Sequence, residues 1–480
     1  MGEAFPVQVP VLSWPAILTG GCIAMSPRLK HSEFHGRIGT ARTTVTPPVG
    51  IYSRTWGSAQ HDVAEGVHRP ALASCLVFQT LAGDSELVFI TMDSCCADDG
   101  EVAAIRAKVL QHFGLRPEQL MLHPSHSHSL PVLTRRTADR AGGALLTAYL
   151  DSLAPICIDL VEQARKSLAE GMVSWAYGRC GLAFNRDAVD PASGRDICGL
   201  NLAEKADDTV LVGRVAESNG KIRATIVNYA CHPVSLGGRN RLLSPDYIGA
   251  MREVVERDTD GAMCVFMHGA SGDLTPRRSY EAKTEVADQN GRELGYAALS
   301  VLSGMFPPGQ QLQYQGVEES GTPLGIWRLM PRADVSTELS GRFLSTQFPL
   351  LPFPSREELQ TQLAATTERF AIERLERSLA RRAQVGDGPD GDFHFTVWRI
   401  GDAFLVSTPA ECYSKFQIDL RREFPDTTVA VLNLSDGTTT YLPEPESFGR
   451  DVYQARIAFY KPDALARVTK MAREAIQEMQ

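Results

Sequence analysis

Three short apolar runs in this chain each break into a loop dense in histidine, serine or glycine. Leu120-Met121-Leu122 leads into His123-Pro124-Ser125-His126-Ser127-His128-Ser129. A later run ends in Asn228-Tyr229-Ala230-Cys231-His232-Pro233, and Ala262–Met267 gives way to Gly269-Ala270-Ser271-Gly272-Asp273-Leu274-Thr275-Pro276. Such runs suit buried strands, and loops at strand ends are where a rigid scaffold usually carries its chemistry. Side chains at i and i+2 of a strand share a face. His126 and His128 are therefore expected side by side, as two metal ligands or as a ligand and its neighbour.

Strand-like and helix-like patterns alternate along the rest of the chain. Ala73–Thr80 and Glu86–Asp93 read as a hairpin around Ala82-Gly83-Asp84. Val102, Ile105, Val109 and Leu110 recur at helical spacing, and Gly114 closes that helix. Helices are expected over Ala144–Gly171, Tyr247–Glu256, Thr284–Leu302, Arg356–Ala383 and Asp463–Met479, and late strands over Phe393–Ile400, Ala403–Ser407 and Thr428–Leu434. This alternation predicts an α/β fold, a layered mixed sheet with flanking helices. Residues 306–355 are rich in Pro, Gly and aromatics without a clear period, which predicts a lid or insert shaping an apolar pocket.

The chain has 480 residues, 43% of them hydrophobic, enough for a large core. A net charge of −9 offers no basic footprint for nucleic acid. No uninterrupted apolar run reaches the ~20 residues of a membrane span. Residues 1–35 are expected to form a loosely ordered extension ahead of a single catalytic domain at 36–480. The extension has Glu3 and no positive start, and Pro10 and Pro15 break its apolar run, so a cytoplasmic protein is expected, with export the alternative if it is a leader. The ten cysteines include no Cys-x-x-Cys pair and sit mostly in apolar runs, as buried hydrophobes of a reducing compartment do.

The residues also resemble a known family, the neutral/alkaline non-lysosomal ceramidases, zinc amidases that cleave the N-acyl bond of ceramide. The resemblance rests on Ile38-Gly39-Thr40-Ala41 with Thr46-Pro47-Pro48, on His126-Ser127-His128-Ser129, on Asn185-Arg186 and on Asn228–Pro233. It continues through Gly269–Pro276, Pro409-Ala410-Glu411, Tyr441-Leu442-Pro443 and Tyr453. It implies Zn²⁺ held by His126, His232, Glu411 and Tyr441. It implies that His128 faces the substrate, that Arg186 stands at the site entrance, and that Tyr453 lies beside the attacking water. Thr275 stands where the family has a serine, and Gln454 where it often has glutamate. The chain is expected to be a short form without the family's C-terminal β-sandwich.

Two imidazoles, a carboxylate and a phenolate form an N/O donor set suited to zinc. A zinc-activated water would then hydrolyse a linear amide. His128 and Tyr453 are the candidates to protonate the leaving nitrogen and steady the oxyanion, and Asp273 to orient a ligand histidine. Taken alone, Glu411 also reads as a carboxylate at a helix N-terminus, and His268 as a packed histidine. Direct attack by Thr275 or Ser271 is the rival mechanism, although no Gly-x-Ser-x-Gly elbow is present. An esterase, lactonase or carbamate hydrolase on the same site, or a non-catalytic zinc-binding homologue, are the alternative functions. The expected partner is a small-molecule or lipid amide, with no nucleic acid and with a homo-oligomer open.

Overall fold

The computed structural model describes residues 27–386 and 388–480. Its main sheet has eight strands: β1 (Ser32–Thr44), β2 (Leu72–Gln79), β3 (Glu86–Met92), β4 (Leu120–Pro124), β5 (Ala169–Arg179), β6 (Thr209–Glu217), β7 (Ile222–Tyr229) and β8 (Met263–His268), in the order β8-β7-β6-β5-β1-β2-β3-β4. Two neighbouring pairs are parallel, β3 with β4 and β7 with β8, and the others antiparallel. Residues 310–349 form β9 (Gln310–Ser320), β10 (Thr322–Pro331) and β11 (Leu339–Pro349). Then follow β12 (Asp390–Ile400), β13 (Ala403–Ser407), β14 (Glu411–Cys412), β15 (Thr428–Leu432) and β16 (Tyr441–Leu442). Strands β11-β12-β13-β15 make a second, four-stranded sheet with β13 and β15 parallel.

The helices are α1 (Asp99–Phe113), α2 (Gly143–Lys166), α3 (Tyr247–Arg257), α4 (Thr284–Gly304), α5 (Arg356–Ala364), α6 (Arg369–Val385), α7 (Lys415–Glu423), α8 (Tyr453–Ile457) and α9 (Ala464–Met479). They cover the outer faces of both sheets. Strand alternation sets the layers. Along β2, Ala73, Cys75 and Val77 pack toward α1 and α2, while Leu76 and Phe78 pack toward the second sheet against Trp398 and Leu405. The far half of the main sheet packs on α3 and α4, and the second sheet's outer face on α7 and α9. The result is four layers, α-β-β-α, with aromatic rings such as Trp175, Phe89 and Trp398 buried between the sheets.

The structure revises several expectations. Residues 306–355 are no irregular lid. They supply three strands, and Phe348 is buried in the second sheet's core against Phe393 and Tyr460. The hairpin β9–β10 leaves Val317, Leu324, Trp327 and Leu329 exposed, so burial does not alternate along it and no period of two reaches the sequence. The expected helix Ala144–Gly171 ends at Lys166 and is followed at once by β5. By length and composition α2 would suffice to cross a membrane; here its stripe of Leu146, Leu150, Leu153 and Leu160 packs in the core beneath β1 and β2. The charged stretch Arg356–Ala383 is two helices, because Glu368 accepts the amides of Phe370 and Ala371 and starts α6 afresh. Order begins before residue 36: Arg28–Leu29 pairs with β9, and β1 starts at Ser32. The remainder of the expected extension, residues 1–26, lies outside the described residues.

A buried ion pair ties the helix layer to the main sheet. Arg252 on α3 grips Asp93, just past β3, at 2.6 and 3.0 Å, and Asp93 also accepts the Leu72 amide. Removing one partner strands the other's charge in the core, at a cost of ~3–5 kcal/mol. Arg252→Met is expected to lower stability by that order in urea unfolding. The double variant Asp93→Asn/Arg252→Met, which keeps an acceptor for Leu72, is expected to recover a large part of the loss.

Candidate metal centre

The carboxyl ends of three parallel strand pairs, β3–β4, β7–β8 and β13–β15, meet at one edge of the sandwich. His126 lies two residues past β4, His232 three past β7, and Glu411 four past β13. Tyr441 lies in β16, nine residues past β15. Ligand sites of open α/β sheets fall at such ends because the strands stop there and the loops splay.

His126 and His128 do meet, with Nε2 atoms 3.4 Å apart, but not through strand alternation. The strand stops at Pro124, and His126 takes φ +66°, a left-handed conformation uncommon for a side chain of its size. That turn swings its ring inward. Backbone carbonyls then fix two tautomers. Nδ1 of His126 meets the Cys95 carbonyl at 2.9 Å, and Nδ1 of His232 meets the Ser271 carbonyl at 2.8 Å. A carbonyl only accepts, so each Nδ1 carries the proton and each Nε2 presents a lone pair. The two Nε2 atoms stand 3.2 Å apart.

The carboxylate and phenol come from the other sheet. Glu411 does not open a helix. It is paired in register with Tyr441 across the short parallel bridge of β14 and β16. Glu411 Oε2 lies 2.9 Å from His232 Nε2 and 3.3 Å from His126 Nε2, and Tyr441 Oη lies 3.4 Å from His232 Nε2. Burial pushes the Glu411 carboxyl up, but the positive charge that the His126 and His232 rings can take on outweighs it and holds the group well below the usual carboxylate range, and Glu411 in turn raises His126 against burial. Burial, then Arg186, pushes His232 down to about 4, which keeps its ring neutral.

In their neutral forms the two imidazoles and the carboxylate turn only lone pairs toward one another, an arrangement a cation relieves. Tetrahedral donors at ~2.0–2.2 Å from one ion stand about 3.3–3.6 Å apart, close to the separations found. The four donors therefore fit a zinc-like ion.

The surrounding groups fall into place with several corrections. His128 packs its ring against Trp56, centroids 5.2 Å apart, and both line a small recess of about 10 Å³ with His61, Asn240 and Arg241. Arg186 is not at an entrance. It is 5% exposed and lies beneath Tyr441, donating to Tyr441 Oη at 3.0 Å and to the Gly272 carbonyl at 2.7 Å. Asp273 orients no histidine, since backbone carbonyls do that work. Its carboxylate instead accepts the amide and hydroxyl of Ser414, and burial pushes its pKa up to about 7. Thr275 is fully buried in Leu274–Pro276, which pairs with Ala183–Asn185 beside Arg186. Tyr453 opens α8 with its ring 6.1 Å from that of Tyr441 and is 40% exposed, the most accessible of the expected residues.

Sequence reasoning missed the parts played by four residues: Cys95 and His123 were given none, Ser271 was weighed only as a rival nucleophile, and His268 only as a packed histidine. Cys95 and Ser271 act through backbone carbonyls, which leave no trace in residue type. The thiol of Cys95 also lies within ligand range of His126 and His128, although no Cys-x-x-Cys spacing announced it. Behind the ligands, Ser271 Oγ spans His268 Nε2 (2.8 Å) and His232 Nδ1 (3.1 Å). The His268 amide donates to His123 Nε2 at 2.7 Å, so His123 Nδ1 carries the proton toward Ser435 Oγ. The clustering of His123 and His268 beside the ligand loops was the available signal.

Helix α6 bridges the two flanks of the cluster. Glu373 meets Arg54 Nε at 3.3 Å, and Arg369 meets Asp62 at 2.6 Å, so the front of the helix is tied to the loop carrying Trp56. Two turns on, Arg381 lies over the Phe459 ring, 5.9 Å from its centroid.

The profile of the neutral/alkaline non-lysosomal ceramidase family, N-terminal part, matches residues 37–288, more than half of the chain. The fold is shared with a solved structure described as a ceramidase complexed with C2, at 15% identity and TM-score 0.67, covering 93% of this chain and 76% of that one. It is shared likewise with neutral ceramidase from Pseudomonas aeruginosa, at 16% identity and TM-score 0.66, covering 93% and 75%. No curated protein sequence matches the chain. With the profile spanning both histidine loops and the glycine-rich loop, this chain belongs to the neutral/alkaline non-lysosomal ceramidase family.

Proposed function

We propose that the chain is a zinc-dependent hydrolase that splits a linear N-acyl amide with water. The observation that carries this reading is the pair of Nε2 lone pairs 3.2 Å apart with Glu411 Oε2 against both. His126, His232, Glu411 and Tyr441 would hold the ion. Bound there, zinc lowers the pKa of an attacking water from about 15.7 toward ~7 and polarises the scissile carbonyl. Family membership supports an N-acyl amide as the bond, with ceramide as the reference substrate.

The chain's own residues supply the rest. His128 stands beside the cluster on the Trp56 side, its Nε2 3.4 Å from that of His126, where it would carry a proton between water and the leaving nitrogen. Tyr453 flanks the opposite side, where its hydroxyl reaches an oxygen that gains charge. Burial and then Glu411 push the Tyr441 phenol well above its usual range, and Arg186, donating to its Oη at 3.0 Å, opposes that shift. His126, His232 and Tyr441 are all buried, which limits bulk water at the donors. An apolar cavity of about 50 Å³, lined by Met92, Val102, Ile105 and Leu133, lies beside Pro124 and suits part of an acyl group.

Zinc analysis of purified protein is expected to give one ion per chain, and chelation to abolish hydrolysis of an N-acyl amide until zinc is returned. Full activity in the stripped protein would overturn the reading. His232→Ala is expected to weaken zinc retention by more than the ~10–100-fold typical of outer-shell changes. Thr275→Ala is expected to keep both zinc and substantial turnover, because the threonine hydroxyl is no nucleophile; total loss with a trapped acyl-enzyme would reverse that assignment.

Asp273 is expected to matter for stability rather than turnover. Its carboxyl titrates at about 7 when folded against roughly 4 when unfolded. A raised folded pKa gives stability that is fully present below pH ~4 and is lost as pH rises through ~7. Asp273→Asn keeps an acceptor for the Ser414 amide and has nothing to ionise. Its Tm relative to wild type is expected to climb between pH 5 and pH 8, read by thermal melts across that range.

A further inference from the structure

The small recess on the Trp56 side begins one imidazole away from the four donors. His128 lines it, with Nε2 3.4 Å from His126 Nε2 and its ring 5.8 Å from that of His232. Its walls are held in place. Thr55 Oγ1 donates to the His128 carbonyl at 2.6 Å, and the Trp56 ring lies against His128 on one side and edge-on to Tyr280 on the other, 5.8 Å between centroids. Asn240 Nδ2 donates to Ser129 Oγ at 3.2 Å and to the Leu242 carbonyl at 2.8 Å, so both its amide hydrogens are engaged. Arg241 pairs with Glu65.

His61 differs. It lines the same recess, and among the described residues its ring makes no hydrogen bond. Burial, then Arg241, pushes its pKa down, so near pH 7 the ring is neutral and carries one N–H and one lone pair. A hydroxyl both donates and accepts and so answers such a ring, whereas a carboxylate would find Arg241 already matched by Glu65. The recess holds about 10 Å³, room for one group the size of a water molecule and none for a long alkyl base.

Resting on the hydrolase reading, we propose that this recess is the leaving-group subsite, that the substrate is the N-acyl amide of a short amino alcohol, and that His61 reads the hydroxyl. With the nitrogen at His128, a short carbon spacer carries the hydroxyl into the recess. The amide C–N bond breaks, the water oxygen bonds to the acyl carbon, a water proton reaches nitrogen, and the carboxylic acid and the amino alcohol leave. His61 contacts the far end of the leaving group and sets specificity, while the reacting atoms remain with His128 and Tyr453.

The test compares three amides of one acyl chain on the zinc-loaded full chain: the ethanolamide, the propylamide, which has a methyl group in place of the hydroxyl, and the sphingosine amide. The ethanolamide is expected to exceed the propylamide in kcat/KM by ~10-fold or more, and to exceed the sphingosine amide as well. His61→Leu is expected to bring ethanolamide and propylamide together through a higher KM for the ethanolamide. His61→Gln, which keeps a donor and an acceptor, is expected to restore much of the difference. Equal handling of ethanolamide and propylamide by wild type overturns the proposal, and so does a preference for the sphingosine amide. His61→Leu lowering kcat for both short amides alike also overturns it, since that marks a structural role. Calorimetric titration of the zinc-loaded protein with the two short amides keeps this proposal apart from the hydrolase reading. Zinc bound with none of the three amides cleaved sinks the hydrolase, yet tighter binding of the ethanolamide that His61→Leu removes still upholds the subsite, and equal binding overturns it.

Discussion

The carbonyls of Cys95 and Ser271 decide what this site can be. Each holds one imidazole by Nδ1 and leaves Nε2 as a bare lone pair turned toward the other ring. Were either ring in the opposite tautomer, Nε2 would donate and the cluster would close on itself as a hydrogen-bonded triad with Glu411. The carbonyls are placed by the sheet. Cys95 follows β3 and Ser271 follows β8, each the parallel neighbour of the strand that delivers the histidine it holds. In a parallel pair both strands end on the same side, so a loop from one reaches a loop from the other. Sheet topology thus determines tautomer, and tautomer determines ligand capacity.

The donors are divided between two sheets, which makes the sandwich interface part of the chemistry. The imidazoles belong to the main sheet, and Glu411 and Tyr441 to segments that extend the second. Their relative position rests on the buried layer of Trp175, Phe89, Trp398 and Leu405 between the sheets. Packing at that density resists displacement, because a gap of even one methylene group costs ~1 kcal/mol or more. An ion gripping all four donors would tie the sheets together at this edge, so binding energy would feed directly into folding.

Much of the fold was legible because the sheets are buried on both faces. Continuous apolar runs such as Leu72–Gln79 declare themselves, and α1 shows its stripe and its Gly114 stop. The β9–β10 hairpin was not legible, since most of it is exposed on both faces and nothing forces alternation. β5 was lost because the apolar stripe of α2 runs into it after only two residues. At the site, the four donors and His128 were readable as residue types within a resemblance. What could not be read was orientation. His126 needs a positive φ, Arg186 lies under a phenol rather than at an opening, and Asp273 serves Ser414. Each depends on contacts between residues far apart in the chain, which neither local pattern nor spacing encodes.

Gly272 shows how closely these contacts are interlocked. Its carbonyl accepts from Arg186 and from Gln454 Nε2, while its amide donates to the Cys412 carbonyl beside Glu411. A Cβ there would stand 2.7 Å from the Glu411 carbonyl oxygen, so only glycine lets the main-sheet loop approach the second sheet this closely. The same junction accounts for Gln454. Its amide also donates to Asp187 at 2.7 Å, and Asp187 accepts from Tyr413. A glutamate at 454 would set a second carboxylate against Asp187 with no proton between them, whereas glutamine supplies the donors that both Asp187 and Gly272 need. Glutamine at 454 is therefore matched to Asp187, and the loop holding His232 keeps its place.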